Sequence, residues 1–517
     1  MKKIIILGKN SKDKLFKGIQ LVYNCVISTL GVSGQGVVID RGFLVPTSSD
    51  DGVSIVNSLT GYHIDDIDDI ERQGIEMIAE VARKTNQEAG DGTTTSIVLA
   101  HALVEEGMKY AGNPIDLKRS LEQAKNKAIG LLKGMSKPLK TDKEILEIAT
   151  LSASSKELGQ QIADAFKAVG RDGIISIEES NLPETQISTV EGYEVAKGFA
   201  SPFMSENGRA VHENTRVLVV GSKIDNVPEI VPICEKLMKE KVTQFVLFCS
   251  EIDTPVLNTI LLNRNLGNFK CLVVKANSQK QEILQDVALI TGAKYISNEA
   301  GSKLSEAEVK DLGFARRITA TSDKTIILNG KGNPKKKIQE LKEELSSTKD
   351  ENQYDLIEKR IGRLDNKIAV ISVGAKTSNE MQPKYLKMED AVNAVKSALE
   401  EGIVEGGGMS YYRISNKLGN SIGEKVLSKA LKAPLKSIIE NSGEDYAEIV
   451  GALKDFKGNC IGYDAEHNGF VNLVKQGIID PVKVERCALE NAVSFAISFI
   501  GSKGVIAMQR EPNNKEE

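Results

Sequence analysis

The residues in this chain best suited to chemistry form one short stretch, residues 90–95 (GDGTTT), followed by an apolar, helix-forming run at 96–103. Two glycines beside an aspartate allow a tight turn and a close approach of the backbone to a ligand, because neither carries a Cβ. The threonine hydroxyls and the unpaired N–H groups of a first helical turn can bind an anion. Asp91 adds the hard oxygen that Mg²⁺ prefers beside phosphate. The stretch therefore predicts a phosphate and magnesium site; the alternative is a threonine-capped helix start with Asp91 as a turn residue.

The composition indicates several domains and argues against nucleic acid as a partner. With 517 residues the chain exceeds what one hydrophobic core normally serves, so roughly two to four domains are expected. Apolar residues make up 41% and charged residues 27%, which is enough apolar surface for large cores. The net charge of -4 gives no basic surplus for a phosphate backbone.

Cysteine and histidine usage bears on the compartment and on the kind of metal. The six cysteines are scattered without CxxC spacing, which is typical of buried thiols in a reducing compartment such as the cytoplasm. The four histidines form no close cluster, so any metal is expected to be bound by carboxylates and not to be zinc. The apolar run at residues 4–7 is too short for a signal peptide, and no run approaches membrane-spanning length. A first strand of a folded domain is the expected reading of residues 4–7, and no membrane is expected as a partner.

Hydrophobic periodicity predicts helical regions at both ends of the chain and an α/β region between them. Helices are predicted at 11–30, within 64–134, at 144–152, from 388 to 401 and on towards the C terminus. Strands are predicted at 37–40, 173–178 and 368–373, and the unalternated apolar runs at 217–220, 245–248 and 272–274 fit strands buried on both faces. Residues 334–364 read as a charged helical hairpin, either an arm closing on its own chain or an oligomerisation zipper. The expected fold class is a mixed α and α/β multidomain protein in which one domain is split around an inserted central region.

Several motifs occur together in this chain. Their order and their spacing resemble those of the group I (GroEL-like) chaperonins. They are Thr29-Leu30-Gly31, Asp51-Gly52-Val53-Ser54, the GDGTTT block, Val190-Glu191-Gly192, Val373-Gly374-Ala375, Glu389-Asp390-Ala391, the triple glycine at 406–408 and the GIIDP run at 477–481. The resemblance covers nearly the whole chain. It implies a mainly helical equatorial ATP-binding domain at 1–134 and 402–517. It also implies a small intermediate hinge domain at 135–191 and 375–401, and an α/β apical client-binding domain at 192–374.

The resemblance also implies a site for ATP and Mg²⁺, with K⁺ as an optional further ion. The phosphates would be held by Thr29, Leu30, Gly31, Val32, Asp91, Gly92, Thr93, Thr94 and Thr95, with Asp50 beside the nucleotide and Asp91 on the metal. The nucleoside would be lined by Gly407, Asp464, Ala465, Glu466 and Asp480. Asp390 corresponds to the mobile aspartate that positions the attacking water, with Asp51 close to it. The alternative for Asp390 is an acid that favours a helix N-terminus.

The partners implied are non-native polypeptides, further copies of this chain in a ring of seven, and a co-chaperonin. The client-binding residues would be Phe199, Phe203, Met204, Val231, Cys234, Leu257, Leu261 and Leu262, exposed on the rim of the apical domain. Each of them taken alone is more often a core residue than a contact, but as a set at matching positions they favour contact.

Two departures from the family pattern concern the surroundings of the nucleotide and an ion pair of the resting state. Asp50 stands where the family has a lysine beside the nucleotide. An ion pair of the family that latches the resting state is replaced by two like charges, Lys156 and Lys387, in the aligned positions. Because like charges cannot form such a latch, the sequence predicts weaker positive cooperativity of ATP hydrolysis than is usual in the family.

Three functions are compatible with these features of the sequence. The first is an ATP-driven folding chaperone, the second a ring-forming holdase or scaffold without productive ATP cycling, and the third a small-molecule kinase or ATPase. The rim residues weigh against the third. Asp51, Asp91 and Asp390 favour the first over the second, because a scaffold has no use for all three carboxylates.

Overall fold

The computed structural model describes residues 2–41, 44–60, 67–171, 173–180, 182–206, 208–276, 281–348, 350–365, 367–456 and 460–509. Residues 64–66 of the predicted helical stretch lie outside this description. The chain forms two compact units: Met1–Asp164, Ile177–Gln186 and Val373–Glu517 make up unit 1, and Ala165–Ser176 and Ile187–Ser372 make up unit 2. The two ends of the chain thus share one unit, and the finer division into equatorial, intermediate and apical domains stays a prediction.

The N-terminal part of the chain is mainly helical. Its elements are β1 (Lys2–Leu7), α1 (Lys9–Val26), a 3₁₀ turn (Ile27–Thr29), β2 (Val37–Arg41), β3 (Leu44–Ser49), α2 (Gly52–Leu59), α3 (Asp69–Ala89), α4 (Thr93–Met108), α5 (Pro114–Met135), α6 (Asp142–Ala153) and α7 (Lys156–Val169). Local capping specifies several helix starts. Asp68 and Glu71 form a capping box at α3, and Thr141 and Glu144 form another at α6, which satisfies backbone donors that the helix leaves unpaired.

The central part of the chain is an α/β layer. Its elements are β4 (Ile174–Glu179), β5 (Gln186–Val195), a 3₁₀ turn (Pro202–Met204), β6 (Ala210–Val220), α8 (Val227–Lys239), β7 (Gln244–Cys249), α9 (Thr254–Asn265), β8 (Lys270–Lys275), α10 (Gln281–Thr291), β9 (Tyr295–Ile296), two 3₁₀ turns (Leu304–Glu306 and Val309–Asp311), β10 (Gly313–Ala320), β11 (Thr325–Gly330), α11 (Lys335–Ser347), α12 (Glu351–Leu364) and β12 (Lys367–Val373). The mixed sheet has the order β4-β12-β5-β11-β10-β6-β7-β8, and β9 pairs with β6. The neighbours β6, β7 and β8 are parallel and carry the predicted unalternated runs, which are buried. Their continuous apolar character follows from this burial on both faces.

The charged hairpin α11–α12 closes on its own unit. Ile338, Leu341 and Leu364 belong to the apolar core of the sheet. Arg360 of α12 donates to the buried carboxylate of Asp286 on α10, with Nη2–Oδ1 at 2.7 Å. The contacts support the reading of an arm that packs on its own chain.

The C-terminal part returns to helices. Its elements are α13 (Ser378–Glu401), β13 (Ile403–Glu405), α14 (Met409–Lys417), α15 (Ile422–Ala430), α16 (Ala433–Asn441), α17 (Tyr446–Leu453), β14 (Ile461–Asp464), β15 (Gly469–Asn472), α18 (Leu473–Gln476), β16 (Ile479–Pro481), α19 (Val482–Gly501) and β17 (Gly504–Gln509). The helix α19 is almost entirely buried and packs against α3, α4 and α5, which places it in the core of unit 1. The strands form antiparallel pairs β1–β17, β13–β16 and β14–β15. Within the described residues, we found no helix long and apolar enough to cross a membrane.

One predicted boundary is wrong by about three turns. The helix predicted to begin at Met388 begins at Ser378. The hydroxyl of Thr377 caps it by accepting from the N–H of Glu380, and Pro383 is accommodated inside the helix. The Thr377 cap stabilises the first turns of this helix. A proline in this stretch of sequence would normally indicate a break in the helix.

Candidate functional site

Two helix starts meet at the centre of the candidate site. Helix α2 begins directly after Asp51, and α4 begins at Thr93 directly after Gly92. A Cβ added to Gly52 would lie 2.8 Å from Thr93 Oγ1 and 2.6 Å from Thr94 Oγ1. Glycine at position 52 therefore allows the two helix starts to come this close.

The start of α4 leaves backbone donors available to an anion. Gly92 precedes the helix in the left-handed conformation, with φ at 80°, and no side chain caps this end. The first intrahelical bond runs from the N–H of Ser96 to the carbonyl of Gly92 (2.9 Å), so the N–H groups of residues 93–95 point out of the helix end. Thr29 Oγ1 lies 3.4 Å from Thr94 Oγ1, which brings the first predicted glycine turn to the same place. The arrangement has the donors of a phosphate site.

The start of α2 is capped by its own aspartate. The carboxylate of Asp51 accepts from the N–H groups of Val53 (3.1 Å) and Ser54 (3.0 Å) and from the Ser54 hydroxyl (2.6 Å). These bonds fix the orientation of the Asp51 carboxylate beside the α4 start. An oriented carboxylate next to a phosphate site can also hold a water molecule or an ion.

Four carboxyl groups of unit 1 influence one another at this point. Burial raises the pKa of Asp91, and the charge of Asp51 raises it further. Burial, and then the charges of Asp91 and Asp51, hold the pKa of Asp390 well above its usual range. Burial and the charge of Asp91 raise the pKa of Asp480 to about 6. A cation near these groups would relieve their mutual repulsion, which favours a metal ion at this point of the site.

Asp91 is the carboxylate best oriented for such an ion. Its Oδ1 accepts from the N–H of Gly92 (2.5 Å) and its Oδ2 accepts from the hydroxyl of Ser152 on α6 (3.0 Å). Across the ranges that the structure describes, no three His, Cys, Asp or Glu side chains are grouped closely enough to hold a metal ion by themselves. Mg²⁺ at phosphate sites commonly uses one or two carboxylates and takes its other oxygens from phosphate and water. The donor set present fits an ion that arrives with a nucleotide.

The triple glycine lies against Asp480. The N–H of Gly406 donates to the carbonyl of Ile478 (3.0 Å), and the N–H of Gly407 donates to the Asp480 carboxylate. A Cβ on Gly406 would lie 3.1 Å from that carboxylate. The strands β13 and β16 thus bring Gly407 and Asp480 together, and contact of these two residues with a nucleoside stays a prediction.

Asp464 is engaged within its own turn. It ends β14, is buried, and accepts from the N–H of Glu466 (3.0 Å), while His467 Nδ1 lies 2.9 Å from its Oδ2. Ala465 packs at the edge of a small apolar cluster formed with α14 and α16. Nucleoside contacts by Asp464, Ala465 and Glu466 stay a prediction.

The raised pKa of Asp480 predicts that the nucleotide-free protein loses stability as the pH rises from about 4 to about 6. The folded state binds this proton more tightly than the unfolded chain, so the free energy of unfolding falls with pH across that window. Asp480→Asn removes the charge, and at about pH 8 its free energy of unfolding should exceed the parental value by about 1–3 kcal/mol. The difference should disappear near the unfolded pKa of about 4. Urea unfolding of both proteins at the two pH values tests this, and an equal difference at both would contradict it.

The sequence did not indicate the residues that hold the site residues in place. The side-chain amide of Asn441 on α16 donates to the carbonyls of Ile27 (2.9 Å) and Leu30 (2.8 Å), which fixes the turn leading to Gly31 and to the exposed Val32. Ser152, described above, orients Asp91 in the same way. An isolated Asn or Ser has no spacing signal in a sequence, and only the fold shows that it lies beside a functional segment.

Asp50 and Lys387 form an ion pair that the sequence did not predict. Lys387 Nζ lies 2.8 Å from Asp50 Oδ2. Asp50 was expected to contact the nucleotide, and Lys387 was expected to face Lys156, which is exposed on α7. The ammonium of Lys387 has an acidic partner instead, and the weaker cooperativity of ATP hydrolysis stays a prediction.

The residues predicted for client binding lie in unit 2 and differ in exposure. Phe203 is 79% exposed, Leu262 is 58% exposed and Val231 is 37% exposed. Phe199 and Leu261 are half-buried and pack against the core of the sheet. The first three are therefore accessible to a partner, and their role in client binding stays a prediction.

The expected exposure is wrong for Met204, Cys234 and Leu257, which are buried. The N–H of Val273 on β8 donates to the Met204 sulfur (3.3 Å), which holds the 3₁₀ turn against β8. Cys234 and Leu257 belong to the apolar core to which α8 and α9 contribute. In short helices with apolar residues on both faces, the sequence does not separate the inward from the outward side chains.

The sequence did not indicate two further exposed apolar side chains on or directly after the same two helices, α8 and α9. Leu266 follows the last turn of α9 and is 67% exposed, and Met238 is exposed near the end of α8. Arg264 Nη2 donates to the carbonyl of Met204 (3.0 Å), which ties the turn carrying Phe203 to the end of α9. Phe203 and Leu266 therefore lie on elements that are held together.

The family model for the TCP-1/cpn60 chaperonin family matches residues 22–510. The chain therefore belongs to this family, which confirms the resemblance predicted from the motifs. Its fold is similar to that of the chaperonin gp146 from bacteriophage EL 2 (Pseudomonas aeruginosa), solved in two crystal forms in the presence of ATP-BeFx. Crystal form II is 20% identical, with 98% of this chain and 100% of that chain covered and a TM-score of 0.71. Crystal form I is 20% identical, with 98% and 99% covered and a TM-score of 0.62. The predicted chaperonin fold class is confirmed.

Proposed function

We propose that this chain is an ATP-dependent chaperonin that forms rings, captures non-native polypeptides on apolar apical surfaces and promotes their folding by binding and hydrolysing ATP. Membership in the chaperonin family supports the chaperone activity. The observation that carries the nucleotide cycle is the meeting of the α2 and α4 starts with the carboxylates of Asp51, Asp91, Asp390 and Asp480. A similar fold was solved with ATP-BeFx in the phage chaperonin, which is consistent with this reading.

The residues of the site divide between binding and hydrolysis. The N–H and hydroxyl groups of residues 93–95 would bind phosphate oxygens, and Asp91 would hold Mg²⁺. The ion would neutralise charge on the phosphates, which is the main requirement of phosphoryl transfer besides positioning. Asp390 would orient the attacking water, because a carboxylate surrounded by acids becomes ionised when a cation enters the cluster.

Ring assembly is supported by an exposed apolar face in unit 1. Ile5 and Leu7 of β1, together with Ile506 and Met508 of β17, are exposed. The pairing of Ile5 with Ile506 places them on one face of a two-stranded sheet, where residues two apart along a strand share a face. An exposed apolar sheet of this kind is a favourable place for contact with another copy of the chain. Seven copies per ring, and a co-chaperonin competing for the surface around Phe203, are parts of the same proposal.

A refolding experiment separates this function from the holdase and from the small-molecule ATPase. A chemically denatured protein is diluted into the assembled particle, and its native activity is followed with and without Mg-ATP. The proposal expects capture without nucleotide and recovery of native client only after Mg-ATP is added. Capture with no ATP-dependent recovery would identify a holdase, and the absence of capture would leave only a nucleotide-hydrolysing enzyme.

A further inference from the structure

The helix that carries Asp390 is joined to the loop that carries Asp51 by one ion pair. Lys387 Nζ on α13 lies 2.8 Å from Asp50 Oδ2. Lys387 precedes Asp390 by three residues, so the two side chains are neighbours on the same part of the helix surface. Asp50 directly precedes Asp51, the N-cap of α2. The pair therefore links the two segments that supply these carboxylates.

The acidic side chains around Asp390 favour such a link. Asp91, Asp51, Glu389 and Asp50 all act on Asp390 with the same negative sign. A cation on α13 that faces the acidic Asp50–Asp51 loop attracts that loop. The attraction favours contact between the helix and the loop whatever the protonation state of Asp390.

Lys387 is placed to provide this cation, whereas Lys384 is not. Lys384, one turn earlier on α13, donates to the carbonyl of Gly374 (2.8 Å) near the start of the helix. Lys387 instead reaches Asp50, and both side chains are partly shielded, with 32% and 42% of their surface exposed. Partial shielding leaves the interaction stronger than that of a fully exposed pair.

We propose that Lys387 and Asp50 are positioning residues for ATP hydrolysis: their ion pair holds α13 against the Asp51 loop so that Asp390 faces the bound nucleotide. The inference rests on the proposed function and gives Asp50 a role other than the nucleotide contact that the sequence predicted. Neither residue touches the reacting atoms. Their loss should lower kcat more than it changes the KM for ATP, because the donors at the start of α4 remain in place.

The test is a charge-exchange cycle on the assembled full-length particle. Lys387→Asp and Asp50→Lys are each expected to lower kcat by about three- to ten-fold, the scale of one partly exposed ion pair turned into a repulsion. The KM for ATP of Lys387→Asp should stay within about two-fold. The double variant, Lys387→Asp with Asp50→Lys, restores opposite charges and should return kcat to within about two-fold of the parental value.

A second ion pair on the same helix provides the matched control. Lys483 Nζ lies 2.6 Å from Glu400 Oε2. Glu400 is at the C-terminal end of α13, and Asp390 is near its middle. Glu400→Lys, Lys483→Glu and their combination should all keep the parental kcat. If Lys387→Asp or Asp50→Lys prevents assembly, the neutral variants Lys387→Gln and Asp50→Asn take their place, with an expected loss of kcat of about two- to five-fold.

The outcomes separate the inference from the function on which it rests. Parental kcat in both single variants, or a double variant that recovers nothing, overturns the ion pair as a positioning device while ATP turnover by the parental protein still stands. Losses of the same size in the Glu400 and Lys483 variants also overturn it, because any change of charge on α13 would then have this effect. No turnover by the parental protein overturns the proposed function, and this inference with it.

Discussion

Asp390→Ala is expected to lower the rate of ATP hydrolysis by about 10²-fold or more, the scale of a lost positioning group or general base. ATP binding should be retained, because the backbone donors at the α4 start and Asp91 are unchanged. The carboxylate lies on α13, where burial and then the charges of the surrounding acids hold its pKa well above the usual range. Single-turnover hydrolysis measured beside equilibrium binding of ATP separates the two effects.

Two further variants are controls for the effect of Asp390→Ala on ATP hydrolysis. Asp91→Ala should weaken binding of Mg-ATP itself, because it removes the carboxylate proposed for the metal. Glu400→Ala removes an exposed acid from the same helix and should change neither binding nor hydrolysis. The assignment of Asp390 is wrong if Asp390→Ala hydrolyses ATP at the parental rate.

Phe203→Ser is expected to abolish capture of a denatured client while ring assembly and basal ATP hydrolysis are kept. The side chain is 79% exposed, so its removal costs the fold little, commonly within about 0.5 kcal/mol. An aromatic anchor at the centre of a binding surface, by contrast, can carry much of the binding energy. Co-elution of labelled, denatured client with the particle measures capture, and circular dichroism together with particle size shows that the fold is intact.

Matched substitutions separate a contact residue from a core residue. Leu356 on α12 is 68% exposed in the same unit but outside the predicted client surface, and Leu356→Ser should capture client normally. Leu257→Ser should instead destabilise the fold by about 3 kcal/mol or more, because it places a hydroxyl and a cavity in the core. Undiminished capture by Phe203→Ser would remove this residue from the client surface.

Much of the fold was predictable because its signals are local. The strands β6, β7 and β8 appear as continuous apolar runs because both of their faces are buried. The start of α4 follows from the glycines and threonines at residues 90–95, whose conformational freedom and donors lie within six consecutive residues. These features depend on the chain near them and very little on its distant parts.

The features that the sequence did not predict depend on distant parts of the chain. The partner of Lys387 is Asp50, more than three hundred residues away, and no local pattern connects them. Asn441 and Ser152 support the site from helices whose sequences give no sign of it. The inward and outward sides of α8 and α9 depend on where the sheet lies, so Cys234 and Leu257 could not be separated from exposed neighbours.

If this chain is an ATP-driven chaperonin, one assembled particle must both hydrolyse ATP and respond to a denatured protein. Mg²⁺-dependent ATP hydrolysis by size-fractionated particles, with and without a denatured protein, measures both properties at once. We expect hydrolysis to elute with a ring-sized particle, to require Mg²⁺ and to change in rate when denatured protein is added. ATP hydrolysis that is absent from that particle, or that proceeds equally well without Mg²⁺, would contradict this expectation.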